Sequence, residues 1–164
     1  MDTEQNQNGD PIILKKIAAQ LIEAVPRLTQ IISTEAQASG TAGPLTITQL
    51  RVLGLLTRGP KLPSELAREL RITPASTSEV VDLLVRRGLV ERCEQPQDRR
   101  LCLLKLTTSG AERLSSAKER ALAALMRMLA RLEPADLLAL ERGTELLLEA
   151  LRRDGWAADG HEPS

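Results

Sequence analysis

The sequence holds no phenylalanine, no tyrosine and a single tryptophan among its 164 residues. A core built without aromatic rings must come from Leu, Ile, Val and Ala, and the Leu and Ala of that set favour helices. There are only two cysteines, Cys93 and Cys102, too few for a disulfide framework in a chain of this size. The one histidine, His161, lies in the tail, and no C-x-x-C or His/Cys cluster occurs. A structural zinc site is therefore not expected, nor any other metal or cofactor. No apolar run approaches the roughly 20 residues of a membrane-spanning helix. The N-terminal stretch is acidic and polar and lacks the apolar segment of a secretory signal. The chain thus reads as cytoplasmic, with no membrane partner. It also lacks a Gly-rich phosphate loop and a nucleophile paired with a base, so an enzyme is not expected. Carboxylate pairs such as Glu65/Glu69 read as solvated charges on a helix face.

What the chain does have is a 42 % apolar content and a formal net charge of zero. The zero conceals a pattern. Residues 1–57 hold four Lys/Arg against five Asp/Glu, 58–105 hold ten against seven, and 106–164 hold eight against ten. The middle of the chain is basic between two acidic flanks. Phosphate binding depends on local rather than total charge, so a neutral total does not exclude nucleic acid.

Along the chain, residues 1–10 read as disordered. From Pro11 the apolar positions Leu14, Ile17, Leu21, Val25, Leu28 and Ile32 recur at spacings of three and four, which is one face of a helix over 11–37. Pro26 should kink or split it. Gly40 to Pro44 reads as a loop. Thr46 or Thr48 can cap a helix that Gly59-Pro60 ends. Ser64 is expected to cap a short helix over Glu65–Leu70. Thr73 as N-cap and Pro74 at the first helical position open a helix that Gly88 closes. The period then switches. Leu89–Glu94 and Leu101–Leu106 read as strands of a β-hairpin around a polar turn at Gln95–Arg100. Long helices follow over 108–132 and, after Pro134, to about Arg153. Residues 154–164 read as a disordered tail.

The fold class this order implies is mainly α with a small β-hairpin wing: a winged helix–turn–helix over 11–153. Its core spans 46–107, and long terminal helices at 11–37 and 108–153 serve dimerisation. A recognition helix must offer small polar groups at the end that enters the major groove. Here that end reads Thr73, Pro74, Ala75, Ser76, Thr77 and Ser78. Consecutive hydroxyls would be unusual on a buried helix. Alone, they fit a solvated helix start equally well. The hairpin shifts the balance, because Arg99 and Arg100 place two cations on a narrow projection suited to the minor groove or its phosphates. Ser64 and Arg86 complete the set of candidate DNA contacts.

This combination resembles the MarR-type transcriptional regulators. The residues Asp98 to Thr107 fit that family's wing pattern, D-x-R-x-x-x-x-x-L-T. Val80–Arg92 resembles its recognition helix and first wing strand, and Leu50–Leu53 with Ser64–Ala67 resembles the preceding helices. The resemblance covers residues 12–153 as an ordered plan. It implies a triangular homodimer whose terminal helices interlock, with two winged domains on successive major grooves of a pseudo-palindromic operator in double-stranded DNA, acting as a repressor. It also implies that Asp98 is a wing scaffold held by an arginine while Arg99 or Arg100 touches DNA; a carboxylate does not favour phosphate, which agrees.

Apolar stripes on the terminal helices argue separately for a dimer, since a second copy would cover them; the alternative is packing within one chain. The resemblance further implies a small-molecule effector between the helical region and the winged core. With no Phe or Tyr, such a site would be lined by Leu, Ile and Val with an Arg or Ser anchor. Cys93 and Cys102 lie on the two wing strands, and a hairpin centred on Gln97-Asp98 would set them opposite each other within disulfide reach. They form a candidate redox pair; the plainer reading is two small apolar strand residues in a reducing compartment. The other alternative to a DNA-binding regulator is a winged-helix protein–protein adaptor without DNA contact.

Overall fold

Three threonines decide where three of the helices begin. The Thr46, Thr73 and Thr107 hydroxyls accept hydrogen bonds from the backbone N–H of Gln49 (3.3 Å), Ser76 (3.1 Å) and Gly110 (3.0 Å). Each satisfies a donor that the helix itself leaves unpaired. At Thr46 the Gln49 side chain reaches back to the Thr46 N–H at 3.0 Å, closing a capping box.

The computed structural model describes residues 10–37, 44–95 and 98–153, except for the side chains at 36, 37, 94, 95 and 98–101. The elements are α1 (Pro11–Gln37), α2 (Ile47–Leu56), α3 (Pro63–Leu70), α4 (Pro74–Arg86), β1 (Val90–Gln95), β2 (Asp98–Leu106), α5 (Thr108–Leu129) and α6 (Pro134–Arg153). The disordered ends expected at 1–10 and 154–164 fall, apart from Asp10, outside the described residues, as does most of the loop expected at Gly40–Pro44. Pro26 does not divide α1, which runs unbroken through it. No helix among the described residues is long and apolar enough to cross a membrane.

Ser64 does not cap α3, contrary to expectation. The helix starts two residues earlier than expected, at Pro63, whose fixed φ suits the first helical position. The Glu65 carboxylate takes the capping role by accepting from the Leu62 N–H at 2.7 Å. Glu69 likewise is not a solvated charge: it pairs with Lys61 at 2.8 Å, both side chains largely covered.

The core lies where α2, α3, α4 and α5 meet the wing. Leu45, Leu53, Leu55, Leu66, Leu84 and Leu104 are fully buried there, each stabilising the fold by roughly 1.5–3 kcal/mol. The wing is an antiparallel pair in which Val90 faces Leu106 and Cys93 faces Leu103. Its inner edge is tied to the α2–α3 connection, where Lys61 and Leu104 exchange backbone hydrogen bonds of 3.0 and 2.8 Å. At the foot of the wing the Thr107 hydroxyl donates to Gly88 O at 2.7 Å. The first turn of α5 passes so close that a Cβ on Gly110 would stand 2.1 Å from Leu89 O.

The flanking helices are different. The C-terminal half of α1 packs along α5, where Arg120 Nε donates to Glu35 O at 3.0 Å. Its N-terminal half leaves Ile12 and Ile22 more than three-quarters exposed. α6 has no buried residue, with Leu138 and Leu148 over half exposed.

Candidate DNA-binding face and adjoining cleft

α3 and α4 are joined by a tight turn that a non-glycine residue makes in the left-handed region: Arg71 has φ 55° and ψ 44°. The Arg71 N–H donates to Arg68 O and the Ile72 N–H to Ala67 O, which closes the last turn of α3. Ile72 packs against the core and so fixes the angle at which α4 leaves.

The start of α4 is a projecting, hydroxyl-bearing end. Thr73, Pro74, Ala75, Ser76 and Ser78 are all exposed. The Thr73 hydroxyl also donates to Ser76 Oγ at 3.0 Å. Thr77 departs from the expectation of three exposed hydroxyls. It is only 1 % exposed, and its Oγ1 donates to Thr73 O at 3.0 Å. With Val81 and Leu84 it forms the inward face of the helix, because residues three and four apart share a face. Its hydroxyl is spent on the helix's own backbone and is not offered to DNA.

Arg86 is exposed in the last turn of α4. At 1.5 Å per residue it stands roughly 18 Å along the axis from Pro74, so it and Ser76 cannot occupy the same stretch of groove. Ser64 is exposed in the first turn of α3. Two charged residues unremarked in the sequence belong to this face. Asp82 of α4 accepts from Arg92 Nη2 of β1 at 2.5 Å, tying wing to helix. Glu79 is exposed on the outward side of α4; its position opposite Val81 and Leu84 was legible from helical periodicity.

The hairpin tip is shorter than expected. The strands extend to Gln95 and resume at Asp98, with an irregularity in register at Glu94/Gln95. Asp98, Arg99 and Arg100 thus belong to β2 rather than to a turn. Their side chains lie outside the described residues, and Pro96 and Gln97 lie outside them altogether. The cysteines are not partners. Cys93 pairs with Leu103 and Cys102 with Glu94. Their positions differ by one step in register, which sends the two side chains to opposite faces of the hairpin. The candidate redox pair across the wing is overturned.

A cleft of about 470 Å³ opens between α1, α2 and α5. Ile32, Ile47, Leu50, Gly54, Leu114 and Leu125 line it, together with the exposed Arg51 and Lys118. Sequence periodicity could not place these residues together, because they come from three separate helices. Nearby, Arg87 Nη1 donates to Pro44 O at 2.8 Å, joining the end of α4 to the approach to α2. Burial, and then the guanidiniums of Arg120 and Arg87, lower the Arg113 pKa below the ordinary arginine value.

An exposed hydroxyl-fronted helix packed on a three-helix core, followed by a β-hairpin, defines a winged helix–turn–helix protein. Comparison with known proteins agrees. Residues 44–101 match the model of the MarR family. The HTH-type transcriptional regulator MT0903.1 of Mycobacterium tuberculosis is 30 % identical over 134 residues, 81 % of this chain and 91 % of that protein. The crystal structure of RV1404 from the same organism superposes with a TM-score of 0.75 at 28 % identity, over 94 % of this chain and all of that one. FabT of Streptococcus pneumoniae, solved in complex with DNA, shares the fold with a TM-score of 0.67 at 20 % identity, over 85 % of this chain and 98 % of that one. This chain belongs to the MarR family. It is a DNA-binding transcriptional regulator of the helix–turn–helix type and not an enzyme.

Proposed function

We propose that this protein is a cytoplasmic repressor that binds a pseudo-palindromic operator in double-stranded DNA as a homodimer. The observation that carries the reading is the exposed start of α4, where Thr73, Ser76 and Ser78 stand clear of the core that holds the helix. Ala75 leaves that end slim enough to approach bases. Ser64 and Arg86 flank it as phosphate contacts, and Arg99 and Arg100 extend the contact along the wing, with Asp98 as its scaffold. FabT, of the same fold, was crystallised on DNA.

The dimer rests on the uncovered apolar faces of α1 and α6. The apolar stripes that carry Ile17, Val25 and Leu28 on α1 and Leu137, Leu140 and Leu151 on α6 in the open are stabilised by a second copy of the chain, and a twofold dimer matches a palindromic site. The cleft between α1, α2 and α5 suits an effector with an apolar body and an anionic head, the body against Ile and Leu and the head near Arg51 and Lys118. Because α2 carries part of the core beneath α4, filling the cleft would bias the position of the recognition helices.

A salt titration of binding to genomic fragments retained by the protein tests the reading. The logarithm of affinity should fall with the logarithm of salt with a slope of several units, and the complex should contain two chains. Retention of no duplex, or salt-independent retention, would point instead to a protein–protein adaptor.

A further inference from the structure

The outward stripe of α4 carries a carboxylate where a surface built only to hold phosphate would carry a cation. Glu79 is exposed. Ala75, Glu79 and Arg86 are spaced by four and seven residues, so they lie within about 40° of one another on the helix, opposite Thr77, Val81 and Leu84. The other carboxylate of the helix, Asp82, is held by Arg92. Among the described residues Glu79 has no such partner. Along the axis Glu79 stands roughly 9 Å from Thr73, and Arg86 roughly 10 Å beyond it. The major groove is about 12 Å wide. With the N-terminal end of α4 inserted, Glu79 therefore lies inside the groove and Arg86 at its far margin. One turn earlier, Ala75 offers only a methyl group, which does not hold the helix away from the bases.

A carboxylate in that place is repelled by phosphate and can only accept hydrogen bonds. Guanine presents two acceptors in the major groove, N7 and O6. Adenine presents an N6 donor beside the N7 acceptor. Cytosine presents its N4 amino donor and is the base with which carboxylates pair. We infer that Glu79 is a specificity-determining residue that accepts from the N4 amino group of a cytosine at one position of each half-site and rejects guanine there. The inference rests on the proposed operator-binding reading.

The test is selection from a random duplex pool with the wild-type protein, Glu79→Ala and Glu79→Gln, followed by affinity measurement on the selected duplex. Circular dichroism first establishes that the variants fold. The wild type should require cytosine at one position per half-site. Glu79→Ala should lose that preference alone, and Glu79→Gln should move it toward adenine, the base a glutamine pairs with. Affinity for the cytosine-bearing duplex should fall roughly five- to a hundredfold in Glu79→Ala. If Glu79→Ala instead binds every sequence more tightly with unchanged preferences, the carboxylate acts by repulsion only and the inference is overturned. A wild type that selects a consensus lacking such a cytosine overturns it as well. A wild type that selects no duplex at all fails the operator-binding reading itself, an outcome separable from the other two.

Discussion

Arg92 of the first wing strand donates to Asp82 of the recognition helix at 2.5 Å, with both side chains about half exposed. The pair bridges the wing and α4, the two parts of the protein proposed to face DNA. It also neutralises a carboxylate on the outward side of α4.

Because the pair is half solvated, its contribution to stability should be small. A double-mutant cycle with Asp82→Ala and Arg92→Ala, followed by urea denaturation, should give a coupling below about 1 kcal/mol. DNA binding should respond more. Arg92→Ala frees the Asp82 charge near phosphate and should weaken binding to all sequences, and adding Asp82→Ala should restore part of the loss. An intact affinity in Arg92→Ala would show that the bridge does not orient the wing.

Gly110→Ala should destabilise the fold by about 2–3 kcal/mol, within the range for overpacking. The new Cβ would stand 2.1 Å from Leu89 O and 2.7 Å from Leu106 Cδ1. The first of these is backbone, held in place by the Thr107 N–H at 3.2 Å, so it cannot give way cheaply. The thermal midpoint should drop by several degrees.

Gly54→Ala should do the opposite. Gly54 lies inside α2, and nothing stands within 4 Å of its added Cβ. The substitution should stabilise by up to about 1 kcal/mol through helix propensity, measured as a rise in midpoint. A bulkier Gly54→Leu projects into the cleft and should blunt the response to any effector that binds there, while shifting basal DNA affinity in the direction the effector shifts it.

Two neighbouring hydroxyls should separate stability from recognition. Thr77→Ala removes a buried hydroxyl that donates to Thr73 O. It should lower stability by about 1 kcal/mol and leave base preference unchanged. Ser76→Ala removes an exposed hydroxyl and should alter base preference with little loss of stability. Reversal of these two outcomes would mean that α4 meets DNA on a different face.

Mild oxidation of the dilute protein should form no link between Cys93 and Cys102 of one chain. Intact mass after thiol labelling checks this, since both cysteines should remain open to the label. The two positions belong to successive register steps of the hairpin, and closing the bond would need the wing to slip by one residue. Such a slip would carry Leu104 out of the core.

Much of this was legible in the sequence because it is written in local chemistry. Thr73-Pro74 announces the start of α4, Gly88 with φ 68° its end, and the change from helical to alternating periodicity marks the wing. These signals act over a few residues, and the backbone obeys them almost independently of what surrounds it. The start of α3 departs from its simplest local signal for a related reason: Ser64 is a good cap in isolation, but Pro63 and the Glu65 carboxylate outcompete it.

By itself, then, the sequence determined the order of elements, the helix caps other than that of α3, and the hydroxyl-bearing end of the recognition helix. Only the tertiary structure decided the rest. It buried Thr77 with Val81 and Leu84, set the wing register through the burial of Leu104 and its bonds to Lys61, and joined Asp82 to Arg92. It also assembled an aliphatic cleft from three helices distant in the chain. The division is physical. Caps and turns depend on neighbours in the chain, whereas strand register, side-chain facing and cavities depend on which apolar groups compete for the same core.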